Sequence, residues 1–480
     1  MPLRETLKGP LIINYCDVDQ MTVDFLSDDA LLDIFDFYLN GSRSINEWHT
    51  LIHVCPRWRN IVINSPRRLK LQLECIPRKP LKKTLEVWPS VLPMVINGEY
   101  YSKSRADNIV GMLEHNDRVC EINLRVLSSS LLESIMTAMQ EPFPKLTSLR
   151  LCFADKTTSP VLSDPDSFMG GSAPSLQSLV LEGIPFPGLP ALLLIASNLA
   201  HLTISNIPHY GYFAPISIVT CLSTLTRLET LLLEFESPQS RPDSDWRRHL
   251  PRTRSELPAL RSFVFKGVCE YLEDFVARID APRLADFHTT FFNELTFDTP
   301  KLAQFIERTS VFKQHDEAYM EFYDSCVSVT LPQENSHRLH LRVSCRPLDW
   351  QVGSLAQVCT SSFPRSLILM VERLYILAGS IGLHWQDDID KSQWLEFLQP
   401  FTCVKDLYLS WKFVPHIALT LQELFGEAAT EVLPSLQSIF WEGLSPSGPV
   451  KEALDKLTDV RQRPIAVSYW DRAGHVVGGR

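Results

Sequence analysis

His49 and His53 come nearest to the spacing of a metal site, because two histidines four residues apart on a helix share one face. A zinc site needs at least a third protein ligand, and the sequence places none beside them. The sequence also lacks the phosphate-binding pattern GxxxxGKS/T, the dinucleotide pattern GxGxxG, the GxSxG nucleophile elbow and HExxH. We therefore expect no catalytic residue, no metal and no cofactor in this chain.

Two segments have residue types suited to recognising a partner. The stretch 237–258 has five arginines and one tryptophan among prolines and serines, which suits an acidic or phosphorylated segment. A mobile insertion with no fixed role explains the same composition. The stretch 379–391, with a tryptophan and three aspartates, is a similar candidate. The residues predicted to contact a target protein are Trp246, Arg247, Arg248 and Trp385.

Composition narrows the class of protein. The chain has 480 residues, of which 45% are hydrophobic and 21% charged, as in ordinary folded proteins. Its net charge of −10 argues against a nucleic-acid partner. Eleven scattered cysteines without a CxxC pair, and no secretory signal, predict reduced thiols in the cytoplasm or nucleus. No apolar run approaches the roughly 20 residues that span a bilayer, so no membrane association is expected.

Residues 23–69 predict three short helices. The first has an apolar stripe at helical spacing, with Ser27 as its N-cap and Gly41 at its end. The stripe consists of Leu26, Leu31, Ile34, Phe35 and Tyr38. A second helix contains Ile45, Trp48, Leu51 and Ile52, and Pro56 begins a third helix that should run to residue 63. Below roughly 70 residues a single core is marginal, so this module should rely on a partner or on the next domain.

Charge is unevenly distributed along the same stretch. Residues 17–36 include seven aspartates and no basic residue, whereas residues 56–83 include nine basic residues against one glutamate. Two solvated faces explain most of this, and steering toward an acidic partner surface is the alternative.

The stretch resembles the F-box, by which substrate adaptors bind the Skp-type subunit of cullin–RING ubiquitin ligases. The family pattern is Leu-Pro, an acidic residue, Leu, Ile-Phe, then Val-Cys and Arg-Trp. This chain departs from it at Ser27, where proline is expected, and in the sequence NGSRSINEW between the first two helices. The resemblance implies that the residues binding the Skp-type subunit are Leu26, Leu31, Ile34, Phe35, Leu39, Leu51, Val54, Cys55, Arg57 and Trp58. Buried apolar anchors usually dominate binding, so Ile34, Phe35, Leu51 and Trp58 are expected to contribute most.

The resemblance continues into the rest of the chain. The strings SLQSLVLEGIPFPGLP, CLSTLTRLETLLLEF, EYLEDFVARIDAPRL and QWLEFLQPFTCVKDLYLS are similar to a large basidiomycete family of F-box proteins with degenerate leucine-rich repeats. It implies a substrate adaptor of a Skp–cullin–F-box ligase that binds an unknown target protein and performs no covalent chemistry itself. The alternative is a ligase-independent interaction scaffold in which the helices only cap the repeats.

The residues alone also predict a repeat architecture. An apolar-x-x-apolar-x-apolar motif recurs, with middle residues at Leu149, Leu179, Leu202, Leu231, Phe263, Leu374, Leu407 and Ile439. The intervals of 23 to 33 residues within each half are typical of a β/α solenoid. Amphipathic helices are predicted at 129–139, 215–225, 269–279, 301–308, 393–398 and 416–427. The predicted fold class is mixed α/β, with three N-terminal helices followed by an irregular leucine-rich-repeat-like solenoid.

The rhythm of the motif breaks at 313–343, where three short strands around a turn at Asp324 and Ser325 predict a β-rich insertion between two sub-arrays. A strand is also predicted at 69–73. The predicted organisation is an F-box module at 21–66, a linker with short strands at 67–115, the solenoid at 116–445, a cap at 446–470 and a tail at 471–480.

Overall fold

The protein is described here by a computed structural model. The described residues are 25–41, 47–75, 85, 88, 90–100, 106–154, 168–185, 189–239, 254–292, 297–313, 315–332, 338–345, 348–379, 391–414, 417, 420, 432–443, 452, 465–470 and 476–477. They belong to two compact units, residues 1–95 and 96–480.

The first unit is built from helices. They are α1 (Asp28–Asn40), α2 (Trp48–Ile52) and α3 (Pro56–Asn64), followed by the strand β1 (Leu73–Cys75). Ser27 caps α1 as predicted, since its hydroxyl oxygen accepts a hydrogen bond from the Ala30 N–H at 3.2 Å. Pro56 occupies the first turn of α3, where a missing N–H costs no helical hydrogen bond. Both predicted helix starts are confirmed.

The predicted strand at 69–73 is wrong over most of its length. Residues 66–70 form turns, and Lys70 has a left-handed backbone with φ of 50°. A strand needs extended backbone throughout, so the alternation of leucines here does not produce one. The strand begins only at Leu73.

Trp48 lies at the centre of the first unit's core. It is 1% exposed, and its indole N–H donates to the carbonyl oxygen of Gln72 at 2.9 Å. Its ring meets Trp88 at 5.1 Å, and Trp88 also stacks on His49 at 4.7 Å. The donor of this large side chain is therefore satisfied inside the apolar core.

The second unit is a repetitive sheet with helices. Its main strands are β3 (Val119–Val126), β4 (Ser148–Phe153), β5 (Ser178–Glu182), β6 (His201–Ile207), β7 (Thr230–Phe235), β9 (Ser262–Gly267), β11 (Asp286–Phe291), β12 (Glu317–Tyr323), β13 (Cys326–Pro332), β14 (Arg338–Val343), β15 (Arg373–Ala378), β16 (Asp406–Leu409), β17 (Ser438–Glu442), β18 (Ala466–Trp470) and β19 (Val476–Val477). The strand β2 (Met94–Tyr100) precedes them, and β8 (Ser255–Glu256) with β10 (Ile279–Asp280) forms a separate parallel pair.

The helices alternate with these strands as predicted. They are α4 (Ala106–Leu113), α5 (Ser129–Ala138), α6 (Leu189–Ile195), α7 (Pro215–Leu222), α8 (Cys269–Val276), α9 (Pro300–Arg308), α10 (Leu348–Ser361), α11 (Arg365–Ile368) and α12 (Lys391–Leu398). The predicted helix at 416–427 lies almost entirely outside the described residues. The mixed α/β, repeat-like fold class is confirmed.

The repeats align in register, which is the basis of the core. The middle residues of the motif are direct partners across neighbouring strands, and each is fully buried. They are Leu149 on β4, Leu179 on β5, Leu202 on β6, Leu231 on β7 and Phe263 on β9. Neighbouring strands are parallel throughout this stretch. Each repeat therefore buries its apolar side against the next, as expected of a solenoid.

The segment 313–343 forms the three predicted strands, and they lie within the sheet between the two sub-arrays. β14 pairs parallel with β11, β13 pairs antiparallel with both of its neighbours, and β12 pairs parallel with β15. The spatial order β11-β14-β13-β12-β15 keeps one sheet continuous. The hairpins β12–β13 and β13–β14 therefore join the two sub-arrays. Because β13 is antiparallel, β14 lies next to β11 and β12 lies next to β15, which is the reverse of their order in the sequence.

Candidate docking surface

α1 has an apolar face wider than the part it buries. Three apolar residues of α1 are buried, namely Leu31, Leu32 and Phe35. Two others on the same helix face solvent: Ile34 is 48% exposed and Phe37 is 83% exposed. A helix that packs only against its own core normally turns polar residues to solvent. The exposed apolar residues of α1 therefore do not contribute to the core of the module and are free to pack against a partner or another segment of the chain.

Further apolar side chains face solvent at the start of α1 and in the turn before α3. Phe25 is 77% exposed, Leu26 is 38% exposed and Val54 is 59% exposed. Arg57 donates to the carbonyl oxygen of Leu26 at 2.5 Å, which brings the start of α1 beside the start of α3. We call Phe25, Leu26, Ile34, Phe37, Tyr38 and Val54 the apolar patch. These six are nearly half of the thirteen large apolar residues exposed in the described chain, so the exposure is concentrated here.

The inner side of the module fixes the positions of these residues. The ring of Trp58 on α3 packs against that of Phe35 on α1, with centroids 4.6 Å apart. Cys55 is the N-cap of α3, and its Sγ accepts a hydrogen bond from the Trp58 N–H at 3.4 Å. Cys55 and the Arg57-Trp58 pair thus form the beginning of α3, and Trp58 supports α1.

Ion pairs join the acidic helix to the basic segment. Arg57 donates to Asp28 at 2.7 Å, and Arg68 reaches Asp29 at 3.1 Å and Asp33 at 2.7 Å. All of these groups are partly or largely exposed, so each pair adds little stability. Several of the acidic residues of α1 are therefore paired with basic residues of the same module. Fewer unpaired charges remain to attract a charged partner.

The structure divides the residues predicted to bind a Skp-type subunit into three groups. Leu26, Ile34 and Val54 are exposed; Leu39, Cys55, Arg57 and Trp58 are half-buried; and Leu31, Phe35 and Leu51 are buried. The buried three pack inside the module in this conformation, and their part in binding a Skp-type subunit stays a prediction. Packing among α1, α2 and α3 is the reason for their burial.

Sequence reasoning missed Phe25 and Phe37 and left Tyr38 out of the contact set. The signal was present, because Ala30, Ile34, Phe37 and Tyr38 recur at three- and four-residue spacing on a second apolar face of the same helix. The F-box pattern does not include Phe25, Phe37 or Tyr38.

The other candidate residues divide differently. The residues predicted to contact a target protein lie outside the described residues. They are Trp246, Arg247, Arg248 and Trp385. Among the described residues, no group of three or more metal-ligating side chains is close enough to hold a metal ion. His53 is exposed, and His49 stacks on Trp88 instead of facing a shared ligand.

Comparison with known proteins assigns no family to this chain. No protein-family model matches the chain, and no curated protein matches it. Among solved structures it is similar to the leucine-rich repeat-containing protein LegL7 from Legionella pneumophila, at 12% identity and a TM-score of 0.26, over 81% of this chain and 98% of that one. No helix within the described ranges combines the length and apolar character needed to cross a bilayer.

Proposed function

We propose that this protein is a substrate-recognition adaptor whose helical module binds a Skp-type subunit through the apolar patch, while the repeat array holds a target protein. The observation that carries the proposal is the exposure of Ile34 at 48%, Phe37 at 83% and Val54 at 59% on a module of only three short helices. Exposed apolar side chains concentrated on one small element mark protein-interaction sites. The F-box-like order of the surrounding residues supplies the class of partner.

The mechanism of such an adaptor is proximity. The array holds the target while the module attaches the chain to a ligase, so a lysine of the target stays at high effective concentration near the charged enzyme. No side chain of this protein takes part in the covalent step. The binding energy of the module comes from burying the apolar patch, at about 25 cal/mol for each Å² of apolar surface removed from water.

The first test is co-expression of the full chain with a Skp-type subunit, followed by affinity purification and size-exclusion chromatography. The proposal predicts a stoichiometric complex that is more soluble than the chain alone, because binding covers the apolar patch. Hydrogen exchange should slow in α1 and at Val54 when the subunit is added. A soluble chain that ignores the subunit would instead favour a ligase-independent scaffold.

A further inference from the structure

The strand β14 has two arginines and a histidine on one face of the sheet. Side chains alternate between the two faces of a strand, and here Leu339 and Leu341 are buried in the core. Arg338 and Arg342 are exposed on the opposite face, with the half-buried His340 between them. We call Arg338, His340 and Arg342 the basic strip. Its residues lie two positions apart, which places neighbours about 6.6 Å from one another along the strand.

The two arginines of the basic strip have no carboxylate partner. Neither Arg338 nor Arg342 forms an ion pair with any residue that the structure describes. Arg342 donates to the sulfur of Cys326 at 2.8 Å and lies over the Tyr323 ring at 5.7 Å. Neither contact supplies a negative charge, so both guanidinium groups remain able to bind a carboxylate.

The carboxylates on the same face have contacts of their own. Within two strands of β14 they are Asp286 on β11, and Glu317 and Glu321 on β12. The first is 3.6 Å from His288, the second binds Arg373 at 2.7 Å, and the third accepts a hydrogen bond from the Tyr323 hydroxyl at 3.1 Å. Asp286 stands directly opposite Arg338 in the ladder, but no ion pair joins the two. The negative charge near the basic strip therefore leaves its arginines unpaired.

The lysine nearest to the basic strip is not part of it. Lys266 on β9 shares a row with Thr290 and Arg342. It also stands directly opposite Glu234 on β7, and its Nζ lies over the Phe292 ring at 5.9 Å. Because a carboxylate adjoins Lys266, the site for a negatively charged partner is confined to β14.

The centre of the basic strip has basic neighbours. Nδ1 of His340 is 2.8 Å from the Thr330 hydroxyl oxygen, and its ring centroid lies 5.3 Å from that of His288. Burial, followed by His288 and the two arginines of the strip, lowers the pKa of His340 from 6.5 to about 4. The same surroundings that disfavour a positive charge on this ring favour a negative charge placed beside it.

A buried hydroxyl in the row of Arg342 is an independent indication of a ligand. Ser328 on β13 stands directly opposite Arg342 and shares its face, because the flanking Val327 and Val329 point into the core. Ser328 is 1% exposed, and its hydroxyl has no hydrogen-bond partner in the described part of the chain. A carboxylate bound to Arg342 on the Ser328 side would accept the hydrogen of this hydroxyl and remove an unfavourable buried donor.

The spacing of the basic strip selects an extended partner. In an extended chain the side chains at i, i+2 and i+4 share one side and are about 6.6 Å apart. Carboxylates at i and i+4 therefore match Arg338 and Arg342, whose Cα atoms are about 13 Å apart along β14. A carboxylate at i+3 would project to the other side of the segment and miss the strip.

We propose that the basic strip binds an extended segment of another protein that carries aspartate or glutamate at positions i and i+4. Each carboxylate pairs with one arginine, in the bidentate geometry that guanidinium groups favour, and the residue at i+2 lies over His340. The inference rests on the proposed function only in assigning this segment to the target, since the binding itself does not need the Skp-type subunit.

The test is fluorescence anisotropy of the full chain with two labelled serine- and threonine-based peptides that differ only in the placement of two glutamates. The peptide with glutamates at i and i+4 should bind about fivefold or more tightly than the one with glutamates at i and i+3, because the second gains one pair instead of two. Arg338→Gln combined with Arg342→Gln should weaken binding of the first peptide by about tenfold or more. The control pair Arg125→Gln with Arg150→Gln removes the same charge from exposed positions of β3 and β4 and should alter affinity by less than about twofold.

Equal affinities of the two peptides, no binding of either, or equal weakening by the two pairs of substitutions would overturn the proposal. A photo-crosslinking phenylalanine derivative at Thr290, directly opposite Arg342 on β11, identifies the occupant and should label the added peptide. Labelling confined to the chain itself would show that this face is already covered and would also contradict the proposal. The Arg338→Gln and Arg342→Gln variant should still co-purify with the Skp-type subunit, so failure here and failure of the docking proposal are distinguishable.

Discussion

In the repeat array the large apolar residues meet one another in register, whereas in the helical module several of them face solvent. Leu149, Leu179 and Leu202 are direct partners and are fully buried. Ile34 and Phe37 project from a helix whose neighbouring apolar face is already packed. The array thus buries its repeated apolar residues against one another, and the described part of the module leaves several apolar side chains exposed.

The same amino-acid change should therefore have opposite effects in the two regions. Phe263 is fully buried between Phe275 and Phe287, at 5.3 and 5.4 Å. Phe263→Ala should lower the free energy of unfolding by about 3–5 kcal/mol, because it leaves a cavity. Phe37→Ala should change it by less than about 0.5 kcal/mol. Urea unfolding of the full chain followed by fluorescence measures both, and equal losses would remove the distinction between the regions.

A buried carboxyl group gives the array a pH dependence. Glu273 on α8 accepts from the backbone N–H groups of Lys301 at 2.9 Å and Leu302 at 2.6 Å, and so caps α9. Burial outweighs these hydrogen bonds and raises its pKa from 4.5 to about 7.

Since the folded protein holds this proton more tightly than the unfolded chain, the contribution to stability is complete below about pH 4.5 and is lost as the pH rises through about 7. Glu273→Gln should therefore flatten the fall in stability between pH 5 and 8. Glu273→Ala should cost about 1–2 kcal/mol near pH 5, because the cap is removed, and this cost should shrink as the pH rises toward 8. Urea midpoints across the pH series decide the matter, and parallel curves for the wild type and Glu273→Gln would contradict the assignment.

Ser27 tests whether α1 depends on its own cap. Its hydroxyl accepts from the Ala30 N–H at 3.2 Å, so Ser27→Ala should destabilise α1 by about 1 kcal/mol. Ser27→Asp keeps an acceptor and serves as the matched control. Hydrogen exchange within α1 should accelerate only in the alanine variant. Unchanged exchange would mean that packing alone holds the start of this helix.

The smallest effect is expected from the exposed ion pairs of the module. Arg68 contacts Asp29 and Asp33 from a solvent-exposed position, where water and salt screen the attraction. Arg68→Ala should leave the thermal midpoint unchanged within error at physiological salt. A clear drop in the midpoint would show that these pairs organise the module more strongly than their exposure indicates.

Local signals made much of the fold predictable. The leucine motif identifies β4 to β7 because each strand repeats the same inward residues, and Pro56 marks α3 because proline favours a first turn. The strand β11 was not predicted, because Thr289 occupies the position at which the motif has an apolar residue. The reversed spatial order of β12 to β14 was not predicted either, because the spacing of a repeat does not determine which strands pair with one another.

The candidate site was predictable only in part. Sequence spacing places Ile34 and Phe35 together on an apolar helix, but it cannot say that the first faces solvent and the second faces Trp58. That division depends on how α1 packs against α3, which is a tertiary property. The stacking of Tyr319 on Tyr375 was equally hidden, because these two residues are brought together by a strand order that the sequence does not reveal.

The most direct measurement of the central claim is the affinity of the full chain for a Skp-type subunit, with changes confined to exposed residues. Ile34→Asp combined with Phe37→Asp should weaken binding by about a hundredfold or more, because two contact anchors become charged. The control, Leu194→Asp with Tyr210→Asp, alters apolar residues of the array that are 50% and 53% exposed, and it should leave the affinity unchanged. Undiminished binding of the Ile34 and Phe37 variant would contradict the account.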